Sequence, residues 1–326
     1  MPDNTQNLKI LVIRFSSIGD IVLTTPVVRM LKTQHPSFEL HFLTKTSYLS
    51  IVETNPYIDK VYCIRKDTKE IITSLKSEKY DYIIDLHKNL RTAKLKKQLK
   101  VKSFSFDKLN IQKWLYVNFK INKLPNIHIV DRYLATISSF GIKNDGKGLD
   151  FFIPKKDEYH LEIDKYVVIV LGATHFTKRI PMHKLRIICN NISTTIVLIG
   201  GKDVEDLAVE LEKMFQNKIV NLCGKININQ SASVIKQCEM VVTPDTGMMH
   251  IAAAFNKRTI SVWGNTCPEF GMYPYFANSV NNEDFNMIVE RKDLGCRPCS
   301  KIGFDKCPKG HFDCMGNDEI DKILYP

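Results

Sequence analysis

No stretch of the sequence stays apolar over the roughly 20 residues that a membrane-spanning helix requires. The first nine residues, MPDNTQNLK, contain no apolar segment of the kind found in secretory signals. Glycine and proline are too scarce for a fibrous chain, and an apolar content of 44% is too high for a disordered one. These absences predict a cytoplasmic protein, and its 326 residues suffice for two domains of ordinary size.

Cysteine is also too scarce for a disulfide scaffold, with nine residues in the whole chain. Five cysteines are isolated from one another, and most are expected to be reduced thiols in apolar surroundings. They are Cys63, Cys189, Cys223, Cys238 and Cys267. The other four, Cys296, Cys299, Cys307 and Cys314, are clustered near the end of the sequence.

Acidic residues are nearly absent from one basic stretch, residues 88–124. It holds eleven Lys/Arg and one acid, Asp107, and so carries most of the net charge of +11. A localised basic face indicates an anionic partner, and Trp114, Tyr116 and Phe119 within it are typical of segments that rest on membrane surfaces. No nucleic-acid-binding motif accompanies the charge, so no such partner is predicted. A solvated helix face is the alternative interpretation.

Short β-rich runs alternate with longer helical segments, which predicts parallel sheets and an α/β fold. The predicted strands are 9–15, 39–43, 60–64, 80–86, 166–171, 195–199, 218–222, 240–243 and 259–263, and the first predicted helix is 21–33. The polar stretch 142–150 is the predicted linker. We therefore expect two Rossmann-like domains, 1–150 and 151–326, whose parallel sheets face each other across a cleft.

Ligands of open α/β sheets bind at the carboxyl ends of the strands. The segment RFSSIGD follows the first predicted strand and contains small hydroxyl and glycine residues next to Asp20. It matches neither the P-loop nor the dinucleotide fingerprint. Asp20 is either a general base or a carboxylate that only stabilises the helix start.

Three further strand ends carry candidate phosphate and ribose contacts. In TPDTGMMH (243–250), Thr-Gly at a helix start can cradle a diphosphate or simply cap the helix, and His250 can face the phosphate or the core. Lys178 follows the strand at 166–171, and a lysine suits a departing phosphate. Gly200, Gly201 and Glu205 follow the next strand, where a carboxylate can hold a ribose diol.

Taken together, these motifs resemble the lipopolysaccharide heptosyltransferases of glycosyltransferase family 9. The resemblance rests on RFSSIGDIVLTTPVVRMLK and TPDTGMMHIAAAFNKRTISVWG, with DLHKNLR and KRIP in the expected order between them. It implies a GT-B architecture and inverting, metal-independent transfer of heptose from ADP-L-glycero-D-manno-heptose to the lipopolysaccharide inner core. No cofactor is then required for catalysis.

The resemblance also implies roles for individual residues. Asp20 matches the catalytic base and Lys178 the lysine at the donor phosphates, while Glu205 falls near the acid that contacts ribose. The remaining predicted donor-binding residues are Thr174, Asp245, Thr246, Gly247, Met248 and His250, and the predicted acceptor-binding residues are Ser16, Ser17, Gly19, His87 and Arg91.

The same resemblance sets the expected partners and location. The partners are the ADP-heptose donor, a Kdo-lipid A or heptosylated inner-core acceptor, and the anionic inner leaflet that the basic stretch would contact. The enzyme is expected in the cytoplasm, at the inner-membrane face of a Gram-negative bacterium. His87 and Asn89 stand where many relatives carry Gln-Gly, so the acceptor is left open.

The clustered cysteines follow the pattern Cys-x2-Cys-x7-Cys-x6-Cys, with His311 nearby. Four thiols suit tetrahedral zinc, and such a metal would be structural. A redox-labile surface loop and thiols packed around a Pro/Gly-rich turn remain the alternatives. For the whole chain, the alternatives are a family 9 member with another nucleotide-sugar or acceptor, a sugar-nucleotide epimerase, and a non-catalytic nucleotide- or lipid-binding protein.

Overall fold

A computed structural model describes residues 7–316, 320, 321 and 323. The chain forms two compact units. The first contains the residues up to Lys108 together with Ile127–Phe152, and the second contains Leu109–Asn126 together with the residues from Ile153 onward. Each unit is built around a parallel β-sheet.

The sheet of the first unit has five strands in the order β3-β2-β1-β4-β5, and all its neighbouring strands are parallel. Its strands are β1 (Lys9–Ile13), β2 (Glu39–Lys45), β3 (Lys60–Ile64), β4 (Tyr82–Asp85) and β5 (Lys102–Ser105). The helices up to residue 152 are α1 (Ile18–Val22), α2 (Thr25–Gln34), α3 (Leu49–Val52), α4 (Ile72–Ser77), α5 (Leu90–Leu99), α6 (Asn110–Phe119) and α7 (Ile129–Leu134).

The sheet of the second unit has six parallel strands in the order β11-β10-β9-β6-β7-β8. Its strands are β6 (Tyr166–Val170), β7 (Thr195–Ile199), β8 (Ile219–Asn221), β9 (Met240–Pro244), β10 (Arg258–Trp263) and β11 (Asn286–Glu290). The helices after residue 152 are α8 (Met182–Asn191), α9 (Glu205–Met214), α10 (Ile228–Gln237), α11 (Gly247–Ala254) and α12 (Asn282–Phe285).

Short 3₁₀ segments complete the regular structure of the described residues. They lie at Thr46–Tyr48, Thr68–Glu70, Ala135–Phe140, Lys155–Asp157, Phe176–Lys178, Lys202–Val204 and Pro268–Phe270.

Apolar residues of the central strands form the core of each sheet. Leu11 and Ile13 of β1 are fully buried in the first unit, as are Val167 and Ile169 of β6 in the second. Continuous β-branched and leucine runs suit strands that are covered on both faces, which is the usual state of a parallel sheet. The α/β fold with two parallel-sheet domains, expected from the alternation of strands and helices, is thus confirmed.

The structure differs from the sequence-based elements in three places. The helix predicted over 21–33 is two helices, α1 and α2, and Pro26 lies in the first turn of α2, where its missing N–H costs no hydrogen bond. The strands β5 and β11 were not predicted. Both are edge strands, and all their residues except the buried Val289 of β11 are exposed or half-buried, so their sequences give no strong apolar signal.

The predicted linker is held against the first unit by Arg29. Its guanidinium, 2% exposed, forms ion pairs with Asp145 at 2.8 Å and with Asp150, and donates a hydrogen bond to the Gly148 carbonyl at 2.8 Å. The division between the units falls after Phe152, two residues beyond the predicted boundary.

The segment Leu109–Asn126 belongs to the second unit, although the predicted first domain included it. Within the second unit, the Tyr116 ring of α6 packs edge-on against Phe270 with centroids 6.2 Å apart, and the Lys113 ammonium lies 5.6 Å from the centre of the same ring. The basic stretch 88–124 is therefore divided between the two units. Among the described residues, no helix is long and apolar enough to cross a membrane.

Candidate functional site

In the first unit, Asp20 is positioned by the turn that joins β1 to α1. Ser17 precedes the first residue of α1 and donates hydrogen bonds to Asp20 Oδ2 from its hydroxyl, at 2.9 Å, and from its backbone nitrogen, at 3.2 Å. Asp20 lies in the first turn of the helix, where the helix dipole favours a negative charge. The carboxylate is thus fixed at the carboxyl end of a central strand.

Arg14 holds the other oxygen of this carboxylate. Its Nη2 lies 2.6 Å from Asp20 Oδ1, while Nη1 donates to the Tyr133 hydroxyl at 2.9 Å and Nε donates to the Ser16 carbonyl at 2.7 Å. Burial alone would raise the pKa of Asp20, but the Arg14 charge and the Ser17 hydrogen bonds lower the pKa below its ordinary value. Asp20 is therefore an ionised, immobile carboxylate at neutral pH.

His87 follows β4 and contacts the same turn. Its ring meets the edge of Phe15 with centroids 4.9 Å apart. Burial and the positive charges of Arg14 and Lys108 lower the pKa of His87 to about 4, so the imidazole is neutral at pH 7. Its Nδ1 is buried and has no hydrogen-bond partner in the described part of the chain.

The predicted acceptor-binding residues are gathered around Arg14 and Phe15. The Arg91 guanidinium lies 5.5 Å from the centre of the Phe15 ring. Ser17 is exposed, whereas Gly19 is buried inside α1 and offers only its backbone. The structure thus brings Ser16, Ser17, Asp20, His87 and Arg91 to one edge of the first sheet.

In the second unit, Lys178 and Asp245 form an ion pair beside the start of α11. Lys178 Nζ lies 2.6 Å from Asp245 Oδ2, and the Thr266 hydroxyl donates to the same oxygen at 2.8 Å. Asp245 immediately follows β9, and Thr266 follows β10. The carboxylate therefore fixes the position of the Lys178 ammonium, which is about one-sixth exposed at 16%.

The N-terminus of α11 lies next to this ion pair in the chain. Thr246 is its cap residue, and Gly247 and Met248 begin the helix, so their backbone N–H groups have no partner within the helix. Such N–H groups and the helix dipole favour an anion. The Thr246 hydroxyl lies 3.3 Å from that of Thr243. A lysine beside a helix N-terminus is an arrangement suited to a diphosphate.

Close backbone approaches occur at the ends of β6, β7 and β8. A Cβ on Gly200 would lie 2.5 Å from Val204 Cγ2 and 3.4 Å from the Gly172 nitrogen. Gly224 has φ +70°, and a Cβ there would lie 1.8 Å from Glu205 Oε1. The Glu205 carboxylate therefore lies directly against Gly224, which has no side chain, at the end of β8. A sugar hydroxyl can reach the carboxylate there.

Other predicted donor-binding residues differ in accessibility. Thr174 is exposed and Met248 is half-buried, so both can contact a ligand. His250 is only 2% exposed, which places it among the core residues of α11. His250 was predicted to face either the phosphate or the core, and the structure places it in the core.

Most of the chain matches a known protein family. The sequence profile of glycosyltransferase family 9 (heptosyltransferase) matches residues 68–301. The chain belongs to this family. It is a glycosyltransferase of the heptosyltransferase group.

Individual relatives agree with the family assignment. The lipopolysaccharide heptosyltransferase 1 of Campylobacter coli is 25% identical over 294 residues, which cover 79% of this chain and 84% of that protein. The solved family 9 glycosyltransferase of Veillonella parvula has a TM-score of 0.72 at 20% identity, covering 89% of each chain. Escherichia coli heptosyltransferase WaaC, solved with ADP-2-deoxy-2-fluoro heptose, gives a TM-score of 0.67 at 20% identity, covering 89% of this chain and 95% of that one. These structures share the two-domain GT-B fold expected for this glycosyltransferase.

Two residues that shape the candidate site have no role in the predictions from sequence. Arg14 was noted only as the start of the RFSSIGD motif, and Thr266 was not considered. An arginine at the end of an otherwise apolar strand, 7% exposed, is a signal that could have identified the first. No local signal points to Thr266, because it reaches Asp245 only through the pairing of β9 with β10.

Proposed function

We propose that this enzyme transfers heptose, with inversion, from ADP-L-glycero-D-manno-heptose to the inner core of lipopolysaccharide, and that no metal ion takes part in the reaction. Family membership supports the transfer of a sugar of this class. The donor is supported by the similarity to Escherichia coli WaaC, which was solved with an ADP-heptose analogue. The observation that carries the proposal is the Lys178–Asp245 ion pair beside the start of α11.

On the donor side, the leaving group is ADP, and negative charge grows on its diphosphate as the glycosidic bond breaks. Preorganised positive charge and N–H dipoles stabilise such a leaving group without reorganisation. We assign this work to the Lys178 ammonium and the first backbone N–H groups of α11. Glu205 is assigned to the ribose hydroxyls, because its carboxylate lies over Gly224 at the end of β8.

On the acceptor side, the attacking hydroxyl must lose its proton as it bonds to the anomeric carbon. We propose that the Asp20 carboxylate accepts this proton. Arg14 and Ser17 keep that carboxylate ionised and fixed in position. A carboxylate of low pKa is a weak base for a free alcohol. It suffices when the proton leaves late, after the new C–O bond has begun to form and the hydroxyl has become acidic.

The acceptor is proposed to be Kdo-lipid A or its heptosylated form. The half-buried, neutral His87 ring and the cationic Arg91 offer one hydroxyl contact and one anion contact at the same sheet edge. A phosphorylated or carboxylated sugar presents both partners. The presence of His87 where many relatives carry glutamine keeps a different inner-core acceptor as the second candidate.

The exposed lysines of α5 and the exposed apolar side chains of α6 are proposed to contact anionic lipids. These lipids would be those of the cytoplasmic face of the inner membrane, where the acceptor lies. On α6, Ile111, Trp114 and Phe119 are 73%, 50% and 58% exposed, and on α5 Lys94 and Lys97 are exposed. Lys96 is not part of this surface, since it pairs at 2.8 Å with Asp85, whose side chain is fully buried. Exposed aromatics and lysines are typical of peripheral membrane contacts.

The test is acceptor-dependent release of ADP from ADP-heptose, measured with Kdo-lipid A and with its heptosylated form. Asp20→Asn is expected to lower kcat by at least about 100-fold, since general-base catalysis contributes roughly 10²–10⁴. Its ADP affinity should remain close to that of the wild type, because Asp20 belongs to the first unit and the proposed donor-binding residues belong to the second. Turnover in Asp20→Asn equal to that of the wild type would refute the base assignment.

The same assay separates the alternatives. ADP binding without turnover on either acceptor would contradict the proposed acceptor and direct the search to other sugars. Failure of the wild type to bind ADP would refute the donor. A protein whose cellular role survived Asp20→Asn would be a binding protein rather than a transferase.

A further inference from the structure

Asp85 is the last residue of β4 and the first of the DLHKNLR motif, and the proposed reaction gives it no role. Its side chain is fully buried, so it does not reach a bound sugar. A buried carboxylate is unfavourable unless hydrogen bonds and an opposite charge compensate it. Asp85 has both, and its two oxygens serve different parts of the first unit.

One oxygen, Oδ1, shapes the turn between β4 and α5. It accepts hydrogen bonds from the backbone nitrogens of His87, at 3.1 Å, and of Lys88, at 2.7 Å. Lys88 has φ +47°, in the left-handed region that residues with a Cβ disfavour. Its ammonium donates to the Phe106 carbonyl at 2.9 Å. Asp85 and Phe106 therefore hold Lys88 in the conformation that turns the chain toward α5.

The other oxygen, Oδ2, forms an ion pair with Lys96 of α5. The two atoms lie 2.8 Å apart, and the same ammonium donates to the Ser105 hydroxyl of β5 at 2.9 Å. Lys96 lies in the last turn of α5. The ion pair thus balances the buried negative charge and connects α5 to the two strands beside it.

The turn that Asp85 shapes carries both proposed acceptor-binding side chains of this segment. His87 lies within the turn, and Arg91 is the second residue of α5, which begins directly after it. Both contact the buried Phe15 ring: the His87 ring is 4.9 Å from it between centroids, and the Arg91 guanidinium lies 5.5 Å from its centre. The path of the turn therefore decides where the imidazole and the guanidinium meet.

The same turn contacts the support of the catalytic carboxylate. The Leu86 carbonyl, next to Asp85 in the chain, accepts a hydrogen bond from Arg14 Nη1, and Arg14 Nη2 binds Asp20. The Leu86 nitrogen donates to the Ile13 carbonyl at 3.1 Å. Asp85 thus lies where the acceptor contacts and the base are joined.

We propose that Asp85 is a positioning residue for the acceptor: its hydrogen bonds to the turn place His87 and Arg91 for binding, although Asp85 itself touches no substrate. This inference rests on the proposed function, which takes His87 and Arg91 as acceptor-binding residues. A misplacement of about 1 Å can cost roughly 100-fold in catalytic efficiency. The loss falls on the acceptor, because the proposed donor-binding residues belong to the second unit.

The test compares two double variants, because removal of Asp85 alone would leave the Lys96 ammonium without its partner. Asp85→Ala/Lys96→Met removes both charges and the hydrogen bonds to the turn. Asp85→Asn/Lys96→Met also removes both charges but keeps an oxygen in the place of Oδ1. The first should raise KM for the acceptor by about 10- to 100-fold with unchanged ADP affinity. The second should stay close to the wild type, and equal KM increases in both would overturn the proposal.

Asp59 and Lys32 provide a matched control in the same unit. Asp59 Oδ2 accepts from the Leu40 nitrogen at 2.7 Å and pairs with the Lys32 ammonium at 2.8 Å. Asp59 therefore makes the same two kinds of contact, but it directly precedes β3, at the opposite edge of the sheet. Asp59→Ala/Lys32→Met should leave KM for the acceptor unchanged. An increase as large as that of Asp85→Ala/Lys96→Met would indicate a general loss of structure and contradict a positioning role.

NMR titration of the His87 ring gives a measurement that does not depend on turnover. Burial is the main cause that lowers the pKa of His87 to about 4. In Asp85→Ala/Lys96→Met the ring loses its place and becomes solvated, so its pKa should rise toward the ordinary value of about 6.5. Loss of the Asp85 charge alone would lower the pKa further, because a carboxylate nearby favours the imidazolium.

The titration also separates this inference from the proposed function. The pKa of His87 should stay low in Asp85→Asn/Lys96→Met, and a low pKa in Asp85→Ala/Lys96→Met as well would overturn the positioning of His87. If the wild type transferred no sugar to either acceptor, the proposed function would fail. The titration would then still decide whether Asp85 positions His87.

Discussion

At the scale of single residues, Arg14 determines both the position and the charge of Asp20. It binds one carboxylate oxygen directly at 2.6 Å and is itself fixed by Tyr133 and the Ser16 carbonyl. Burial raises the pKa of Asp20, but the Arg14 charge and the hydrogen bonds from Ser17 and Arg14 together outweigh it, so the net effect is to lower the pKa and favour the ionised form. Asp20 is therefore ready to accept a proton over the whole neutral range.

This arrangement predicts a pH effect in Arg14→Gln. Without the guanidinium, burial would raise the pKa of Asp20, so the carboxylate would be protonated at higher pH than in the wild type. The acidic limb of kcat/KM for ADP-heptose should move upward by about 1–3 pH units, the usual effect of a neighbouring opposite charge. A profile over pH 4–9 measures the shift. Arg186→Gln removes an exposed arginine of α8 and should leave the limb in place, and an unshifted limb in Arg14→Gln would contradict the coupling.

At the scale of secondary-structure elements, the Arg29 ion pairs connect helix α2 to the segment that leads out of the first unit. Asp145 and Asp150 are both mostly buried, with 18% and 19% of their side chains exposed, and Arg29 forms an ion pair with each of them. The composition of residues 142–150 predicts a linker, but in the structure the buried Arg29 side chain holds this segment in place. Glycine, lysine and asparagine indicate a loop there, but they do not indicate what the loop packs against.

We expect Arg29→Met to destabilise the protein by about 3–5 kcal/mol, because it leaves two partly buried carboxylates without their partner. Lys32→Met is the matched control on the same helix. It breaks the more exposed pair with Asp59 and should cost about 0–1 kcal/mol. Scanning calorimetry of the full chain measures both. If the two variants lost equally little stability, Arg29 would not anchor the predicted linker, residues 142–150.

At the scale of the whole molecule, the excess of positive charge is concentrated on surfaces of both units. The fold assigns α5 to the first unit and α6 to the second, so the basic stretch is not one continuous element. Some of its lysines are occupied within the protein, such as Lys96 with Asp85 and Lys120 with the Pro298 carbonyl. The lysines that remain exposed are those available to an anionic partner.

We therefore expect Lys94→Glu/Lys97→Glu to weaken binding to vesicles of phosphatidylglycerol and phosphatidylethanolamine. Each lysine near an anionic surface contributes about 1 kcal/mol, and the reversal removes attraction and adds repulsion. Vesicle sedimentation at 50 and 300 mM salt measures the binding and its electrostatic part, and ADP affinity should not change. Lys155→Glu/Lys156→Glu is the control for net charge. If both double variants lost vesicle binding equally, the contact would not be specific to α5.

The sequence by itself determined the two parallel sheets and the family. Apolar runs of five to seven residues mark the buried strands, and long local motifs such as RFSSIGD and TPDTGMMH are read without knowledge of the fold. Because ligands of such sheets bind at strand ends, the same motifs also pointed to Asp20, Lys178 and Asp245.

Only the tertiary structure decided how these residues are held. The hydrogen bond of Thr266 to Asp245 spans 21 residues of sequence, and that of Arg14 to Tyr133 spans 119. The assignment of α6 to the second unit likewise depends on contacts with Phe270 and Pro298. Such contacts arise from strand pairing and packing between distant segments, and neither local propensity nor hydrophobic periodicity carries that information.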